Sequence, residues 1–445
     1  MEYKTYKLGT CFSLIENGAI IKQRKEAKGF PITRIETLSH GKFNRDKLGH
    51  ADIFDTTPYK RYILEDKDLI MSHINSRAFL GRTVLYRKKG NEQIIHGMNV
   101  LRIKTNEQFL DPVFASYLFK TSHFKKAIDS IRKDAINQSS INIFDICNIQ
   151  ISLPSITEQR KISHALQLID KKIETNHLIN DNLEAMAKQL YDYWFVQFDF
   201  PNEEGKPYKS SGGAMVWNEK LKREIPQGWS GVSLKDLALT SRNAITPVEN
   251  EVYQHFSIPS FDGCGSYSLD NGSDIKSDKF VLQKGQLLVS KLNPWFNRVV
   301  WVPKGTNMIG STEFVVLNPN NESESGYIYS VIKSPKFIAY CSQAATGTSH
   351  SQRRVSPDVL MAFKVVYEQG VVQKYGCLIE KIQKQQAELL SEIAILTKQR
   401  DELLPLLMNG QATVNYHLSS TPTTAFGMIN KASTGIIGTA KFDMD

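Results

Sequence analysis

The stretch KLNPWFNRVVW (291–301) places Lys291, Asn293, Trp295, Asn297 and Arg298 within eight residues, and HINSRAFLGR (73–82) places His73, Asn75, Arg77 and Arg82 within ten. Ser72 and Ser290 stand at matching places just ahead of them. Two further polar clusters occur downstream: RKDAINQSS (132–140), with Lys133, Asn137 and Gln138, and TGTSHSQRR (346–354), with His350, Gln352, Arg353 and Arg354. Asn and Arg can form paired hydrogen bonds with the edges of adenine and guanine, and Lys and Arg neutralise phosphates. For any one of these residues a solvated loop is the competing reading. Four such clusters at recurring positions are candidates for contact with double-stranded nucleic acid.

Side chains with the spacing of catalytic sites are scarce. A phosphate-cradling GxxxxGK[ST] is absent, since the Gly-Lys pairs at 41–42 and 205–206 are followed by Phe43 and Pro207. The Pro357-Asp358 dipeptide has no Glu/Asp-x-Lys within the next 30 residues, as a metal-dependent nuclease requires. No HExxH or CxxC occurs, and the five cysteines are scattered, which argues against zinc and against a disulfide framework. FDGCG (261–265) fits the FxGxG pattern of an adenosylmethionine loop, and NPWF (293–296) approaches the NPPF-type tetrapeptide of amino-methyltransferases. However, Trp295 stands where the second proline belongs, and only 28 residues separate the two motifs, too few for the intervening elements of that fold. They read as a glycine turn and an aromatic-bearing loop.

The elements that must position these loops occur twice. YILEDKDLIMSHIN (62–75) and FVLQKGQLLVSKLN (280–293) align without a gap, sharing Leu64/Leu282, Leu69/Leu287, Ser72/Ser290 and Asn75/Asn293. Each reads as a turn and a short apolar strand running into a polar loop. LFKTSHF (118–124) aligns with VIKSPKF (331–337), and Ile141, Ile146, Ile149 and Ile151 with Val355, Leu360, Phe363 and Val365. Collinear matches in one order indicate an internal duplication.

A long helical pattern follows each copy. Ile162, Leu166, Ile169, Ile173, Asn176, Asn180, Leu183, Ala187, Leu190 and Trp194 alternate 4-3, and Ile379, Ile382, Gln386, Leu389, Ile393, Leu396, Arg400, Leu403 and Leu407 alternate 3-4. An average spacing of 3.5 is the coiled-coil period and predicts helices of about 33 and 29 residues. The polar seam residues Asn176, Asn180, Gln386 and Arg400 either fix the register or mark exposed turns. Residues 195–228 are dense in Gly, Pro and charge and read as a connector, and the tail beyond Asn415 has no periodicity and reads as poorly ordered.

Of 445 residues, 41% are hydrophobic and 23% charged, which excludes a wholly disordered or fibrous chain. The +9 net charge is concentrated in residues 1–155, with 25 Lys and Arg against 16 Asp and Glu. A basic N-terminal third suggests a polyanionic partner. No apolar run approaches 18 residues and the N-terminus has no apolar h-region, so a soluble protein of a reducing cytoplasm is expected.

LYDYWFVQFDFPNEEGKPYKSSGGAMVWNEKLKREIPQGW (190–229), RDELLPLLMNGQ (400–411) and LPSITEQRKI (153–162) resemble segments of the specificity subunits of type I restriction-modification systems. The resemblance covers about residues 1–414. It departs from the pattern at the start of the first copy, which lacks the Pro-x-Gly-Trp opening that Pro226, Gly228 and Trp229 give the second, and in the tail.

The resemblance implies an α+β chain of two tandem α/β target recognition domains, each followed by a long helix, the two helices pairing as an antiparallel coiled coil. The expected boundaries are 1–154 and 226–368 for the recognition domains, 155–195 and 369–410 for the spacer helices, 196–225 for the connector and 411–445 for the tail. A non-catalytic reader of a bipartite DNA target is implied, docking two methyltransferase subunits and in some assemblies restriction/translocase subunits. Adenosylmethionine, ATP and Mg would belong to those partners, with no cofactor or metal in this chain. Two alternatives are a self-contained adenosylmethionine-dependent DNA methyltransferase and a coiled-coil scaffold that binds no DNA.

Overall fold

The computed structural model describes residues 2–23, 27–134, 138–347, 352–414 and 429–431. It divides into two compact units, residues 1–172 with 396–445, and residues 173–395.

Up to residue 172 the first unit carries β1 (Lys4–Lys7), β2 (Phe12–Asn17), β3 (Leu69–Met71), β4 (Ile74–Asn75), β5 (Thr83–Leu85), β6 (Leu101–Thr105), β7 (Lys133–Asp134), β8 (Ser139–Ser140) and β9 (Gln150–Leu153). An antiparallel sheet of order β2-β6-β3-β5 carries the apolar strand LIM at its interior, flanked through the pairs Leu69–Ile103 and Leu69–Leu85. Leu69, Met71, Leu101 and Ile103 are buried in one core with Phe114 and Phe124, which come from helices Pro112–Leu118 and Ser122–Ile131. Each of these helices begins on a capping side chain. Asp111 accepts the Phe114 N–H at 2.8 Å and the Thr121 hydroxyl accepts the Phe124 N–H at 3.2 Å. A short helix, Ile143–Asn148, then leads to β9, which pairs antiparallel with β1.

The second unit contains β10 (Met215–Asn218), β11 (Arg223–Pro226), β12 (Ser230–Ser233), β13 (Ala238–Ser241), β14 (Ala244–Ile245), β15 (Val252–Phe256), β16 (Ser268–Asn271), β17 (Lys279–Val281), β18 (Leu287–Ser290), β19 (Val299–Trp301), β20 (Met308–Gly310), β21 (Phe314–Pro319) and β22 (Lys364–Tyr367). Its sheet of order β13-β21-β18-β19 repeats that of the first unit strand for strand, with Leu287 paired to Leu317 and Trp301 as Leu69 is to Ile103 and Leu85. The two following helices recur as Ser325–Lys333 and Pro335–Ala344, the second capped by Ser334, whose hydroxyl accepts the Phe337 N–H at 3.2 Å. Helix Pro357–Met361 and the β12–β22 pair complete the correspondence. The copies differ in their insertions. The second unit has a further sheet, β14-β17-β20-β15-β16, whereas the described residues between β2 and β3 of the first carry three short 3-10 helices, Ile35–Gly41, Arg45–Lys47 and Thr57–Tyr62, and isolated bridges such as Gly29–Ile53 and Ile32–Ile95.

The long helices run Ile156–Tyr191 and Gln369–Met408, 36 and 40 residues, both longer than the heptad counts predict. The first starts where Ser155 caps Glu158, and the buried Gln159 amide bonds the carbonyls of Phe109 and Pro154 and the Asp111 N–H, fastening the helix start to the first unit. The pairing is antiparallel. Within the second unit Asn176 meets Glu392, Asn180 meets Gln386 and Ala187 meets Tyr375, so partner numbers fall as the chain advances. Within the first unit Asp170 meets Arg400 at 2.9 Å. Asn176 and Gln386 are buried and bonded across the seam, which favours register-setting over exposure at those two positions.

The stretch expected as a connector is itself folded. The first long helix ends in a π turn, Asp192–Val196, and Phe195, Phe198, Phe200 and Ile225 are buried with Trp229, while β10 and β11 form a hairpin. Glycine and charge dominate the composition, yet the aromatic rings supply enough apolar surface to be drawn into the core. At the other end, Ala412 and Val414 are buried in the first unit and their strand (Ala412–Val414) pairs with Ile429–Lys431; the rest of the tail expected to be poorly ordered lies outside the described residues.

Candidate nucleic-acid interface

Both units bring their two polar clusters side by side. In the first, β4 pairs with β8, and β8 with β7, so that Ile74–Asn75 lies against Ser139–Ser140 and those against Lys133–Asp134. In the second, Asn293 donates its backbone N–H to the Arg353 carbonyl and its side-chain oxygen accepts the Arg353 N–H at 3.1 Å. One bond is common to both. Ile141 N–H reaches the His73 carbonyl, and Val355 N–H reaches the Lys291 carbonyl, at aligned positions of the two copies. The duplicated strand therefore ends, in each unit, beside the segment that carries the second cluster.

The residues divide by exposure. Ser72, His73, Ser290, Asn293 and Arg298 are buried. Ser72 accepts from the Asn75 amide at 3.1 Å, and Ser290 donates to the Leu292 carbonyl at 3.0 Å, so both hydroxyls close the turn after the strand. Burial lowers the His73 pKa and favours the neutral imidazole. Arg77, Lys133, Gln138, Trp295, Gln352 and Arg354 are exposed, while Asn75, Arg82, Lys291, Asn297 and Arg353 are half-buried. Asn137 and His350 lie outside the described residues.

Several cations are already engaged. Arg298 grips Asp262 with two bonds of 2.6 and 2.8 Å, and Arg354 is paired with Glu313 at 3.0 Å. In the first unit Arg132 holds Asp134 through bonds of 2.6 and 3.0 Å, and with the Ser139 hydroxyl this keeps the Asp134 carboxyl at about 2. These pairs fix loop conformation, while Arg77, Lys133 and Gln352 are exposed at the surface.

Asp262 and Glu313 escape the sequence reading because their partners are distant in the chain. Asp262 belongs to FDGCG. That segment lies at the end of helix Ile258–Cys264, closed by Gly265 at φ +71°, rather than in a strand-to-helix turn. The FDGCG segment is thus tied by the Asp262–Arg298 pair to the loop that carries NPWF, two residues beyond that tetrapeptide, a structural use. Phe79 and Phe296 also stand out. Each is exposed with an arginine guanidinium over its ring, Arg82 at 4.3 Å and Arg298 at 4.5 Å. The signal available in sequence was an aromatic two or three residues ahead of an arginine in each loop.

The profile of the family described as type I restriction modification DNA specificity domain matches residues 1–185. A Methanocaldococcus jannaschii protein assigned as a type I restriction enzyme MjaX specificity subunit is 33% identical over 233 residues, 52% of this chain and 52% of that protein, so the match spans about half of each. The type I restriction enzyme MjaIX specificity subunit of the same organism is 26% identical over 320 residues, 67% of this chain and 68% of that protein. The crystal structure of a type I restriction-modification system S subunit from M. genitalium superposes with a TM-score of 0.55 at 15% identity, covering 91% of this chain and 96% of that one. Residues 1–185 are thus similar to the type I restriction modification DNA specificity domain, and the chain shares the fold of the M. genitalium S subunit.

Proposed function

We propose that the chain is the DNA sequence-specificity subunit of a type I restriction-modification complex and is itself non-catalytic. Its two recognition domains, 1–154 and 226–368, each read one half of a bipartite DNA target through the paired loops. The helical segments 155–195 and 369–410 set the unread gap and dock two methyltransferase subunits, to which restriction subunits can add. Adenosylmethionine, ATP and Mg act in those partners, and the complex works in the cytoplasm. What carries this reading is the recurrence of one sheet and one loop pairing in both units, with exposed Arg, Lys, Gln and Trp at the loop surfaces, on a chain whose first 185 residues match the specificity domain.

Methylome sequencing of cells expressing the complete system tests it. Two short specific sequences separated by a fixed gap are expected. Replacing residues 226–368 by another domain of the same kind should change one half and leave the other. Adding one heptad to both helices should lengthen the gap and keep both halves. An unchanged gap, or methylation without sequence preference, overturns the reading.

A further inference from the structure

Each unit ends its recognition loop on an aromatic ring that is held in place yet left in the open. Phe79 is 43% exposed and Phe296 57%, with Trp295 beside it at 39% and a ring separation of 6.0 Å. The turn carrying Trp295 and Phe296 is bracketed by Asn293 and Asn297, both in the left-handed region at φ +49° and +50°. Few side chains other than Asn adopt that backbone readily. The Asn293–Arg353 bonds and the Asn297 amide on the Lys333 carbonyl at 3.5 Å hold its two ends.

The arginine under each ring is a support rather than a phosphate ligand. The Arg298 side chain is 8% exposed, and both bonds to Asp262 occupy its fork, so little of its charge is offered outward. Arg82 bonds the Leu38 carbonyl at 3.4 Å while covering Phe79. A guanidinium on one face of a ring leaves the other face for a second planar group. Large apolar rings kept exposed on a conformationally fixed turn lose the burial that normally places them in a core, which indicates a planar apolar ligand. In a domain that holds DNA, that ligand is a nucleobase.

We propose that the two arginine-backed aromatic tips are base-stacking wedges. Phe79 enters a base step of the half-site bound by the first unit, and Phe296 with Trp295 a step of the half-site bound by the second. There each ring replaces a stacked neighbour. The proposal rests on the reading that each domain holds DNA, and its test separates the two.

The full chain, assembled with its methyltransferase subunits, is titrated with target duplexes carrying 2-aminopurine at successive positions. A fluorescence rise is expected at one step in each half-site. W295A/F296A should abolish the rise in the half read by residues 226–368 only, and F79A in the other half only. Each should weaken binding about 5- to 150-fold, the range for losing one base–aromatic stack. F296Y should restore the signal, because a phenol stacks like a phenyl ring. Base extrusion by the partner methyltransferases gives a rise that persists in every variant. Sequence-specific binding with no rise sensitive to these substitutions overturns the wedge and leaves the DNA-reader reading standing. So does an affinity loss matched by replacing thymine with uracil, since the rings would then be touching methyl edges. Absence of sequence-dependent binding by the assembled complex overturns both.

Discussion

Glu92 shows how single residues hold the first unit's irregular insertion. Arg45 reaches its carboxylate through bonds of 2.9 and 2.5 Å, and the Tyr86 hydroxyl and Lys89 N–H add bonds of 3.0 and 2.8 Å. The arginine first, then the other donors, keep the carboxyl at about 2 against an ordinary 4.5. A folded-state pKa below the unfolded one gives stability that is fully present above pH 4.5 and is lost as the pH falls toward 2. E92Q should therefore be less stable than wild type at pH 7. In urea titrations the gap between their midpoints should narrow steadily below pH 4.5, and a gap that stays constant down to pH 3 contradicts the assignment. None of this was legible in the sequence, where Arg45 and Glu92 are 47 positions apart. Arg102 makes the same point. Alternation in LRIKT gives it no mark of burial, yet it is 2% exposed because Asp68, equally buried, meets it at 2.7 Å from the adjacent strand's turn.

At the scale of elements, the duplication made most of the fold legible. Matched apolar positions located the interior strands β3 and β18, and the 3.5-residue period located both long helices and their polar seam. The alignment also placed Thr121 opposite Ser334, and both prove to be helix caps with the same 3.2 Å bond. T121A and S334A should each cost about 1 kcal/mol, the usual loss for an N-cap side chain. Chemical denaturation measures both, and a cost confined to one of them would mean that the shared motif no longer does the same job in both copies. The insertions were not legible. The five-stranded sheet of the second unit is assembled from strands of two to five residues brought together across the chain, including a parallel pair. Segments that short leave no periodic trace. The hairpin in the presumed connector was hidden for the opposite reason: its composition imitates a linker, while four aromatic rings decide its fate.

Across the whole molecule, the clearest asymmetry is charge. Two copies of one recognition fold are expected to play equivalent roles, yet residues 1–155 carry the entire +9 and residues 228–368 only +1, with 13 basic against 12 acidic side chains. The loops repeat the contrast locally. Arg77 and Lys133 are exposed in the first unit, whereas in the second Arg354 is paired with Glu313 and Arg353 is half-buried. Binding driven by phosphate neutralisation releases counterions, so log K falls with log salt by about 0.9 for each phosphate contacted. R77Q/K133Q should therefore flatten the salt dependence of target binding by roughly 1.8, the effect of two lost phosphate contacts. R353Q/R354Q should flatten it by much less, because Arg354 already has a carboxylate partner and its charge was never fully available to the DNA. The second half-site would then depend on shape and stacking, and the first on charge, so raising salt should erode discrimination in the first half before the second. Equal changes of slope in the two double variants would show instead that the excess positive charge of the first domain lies away from the DNA.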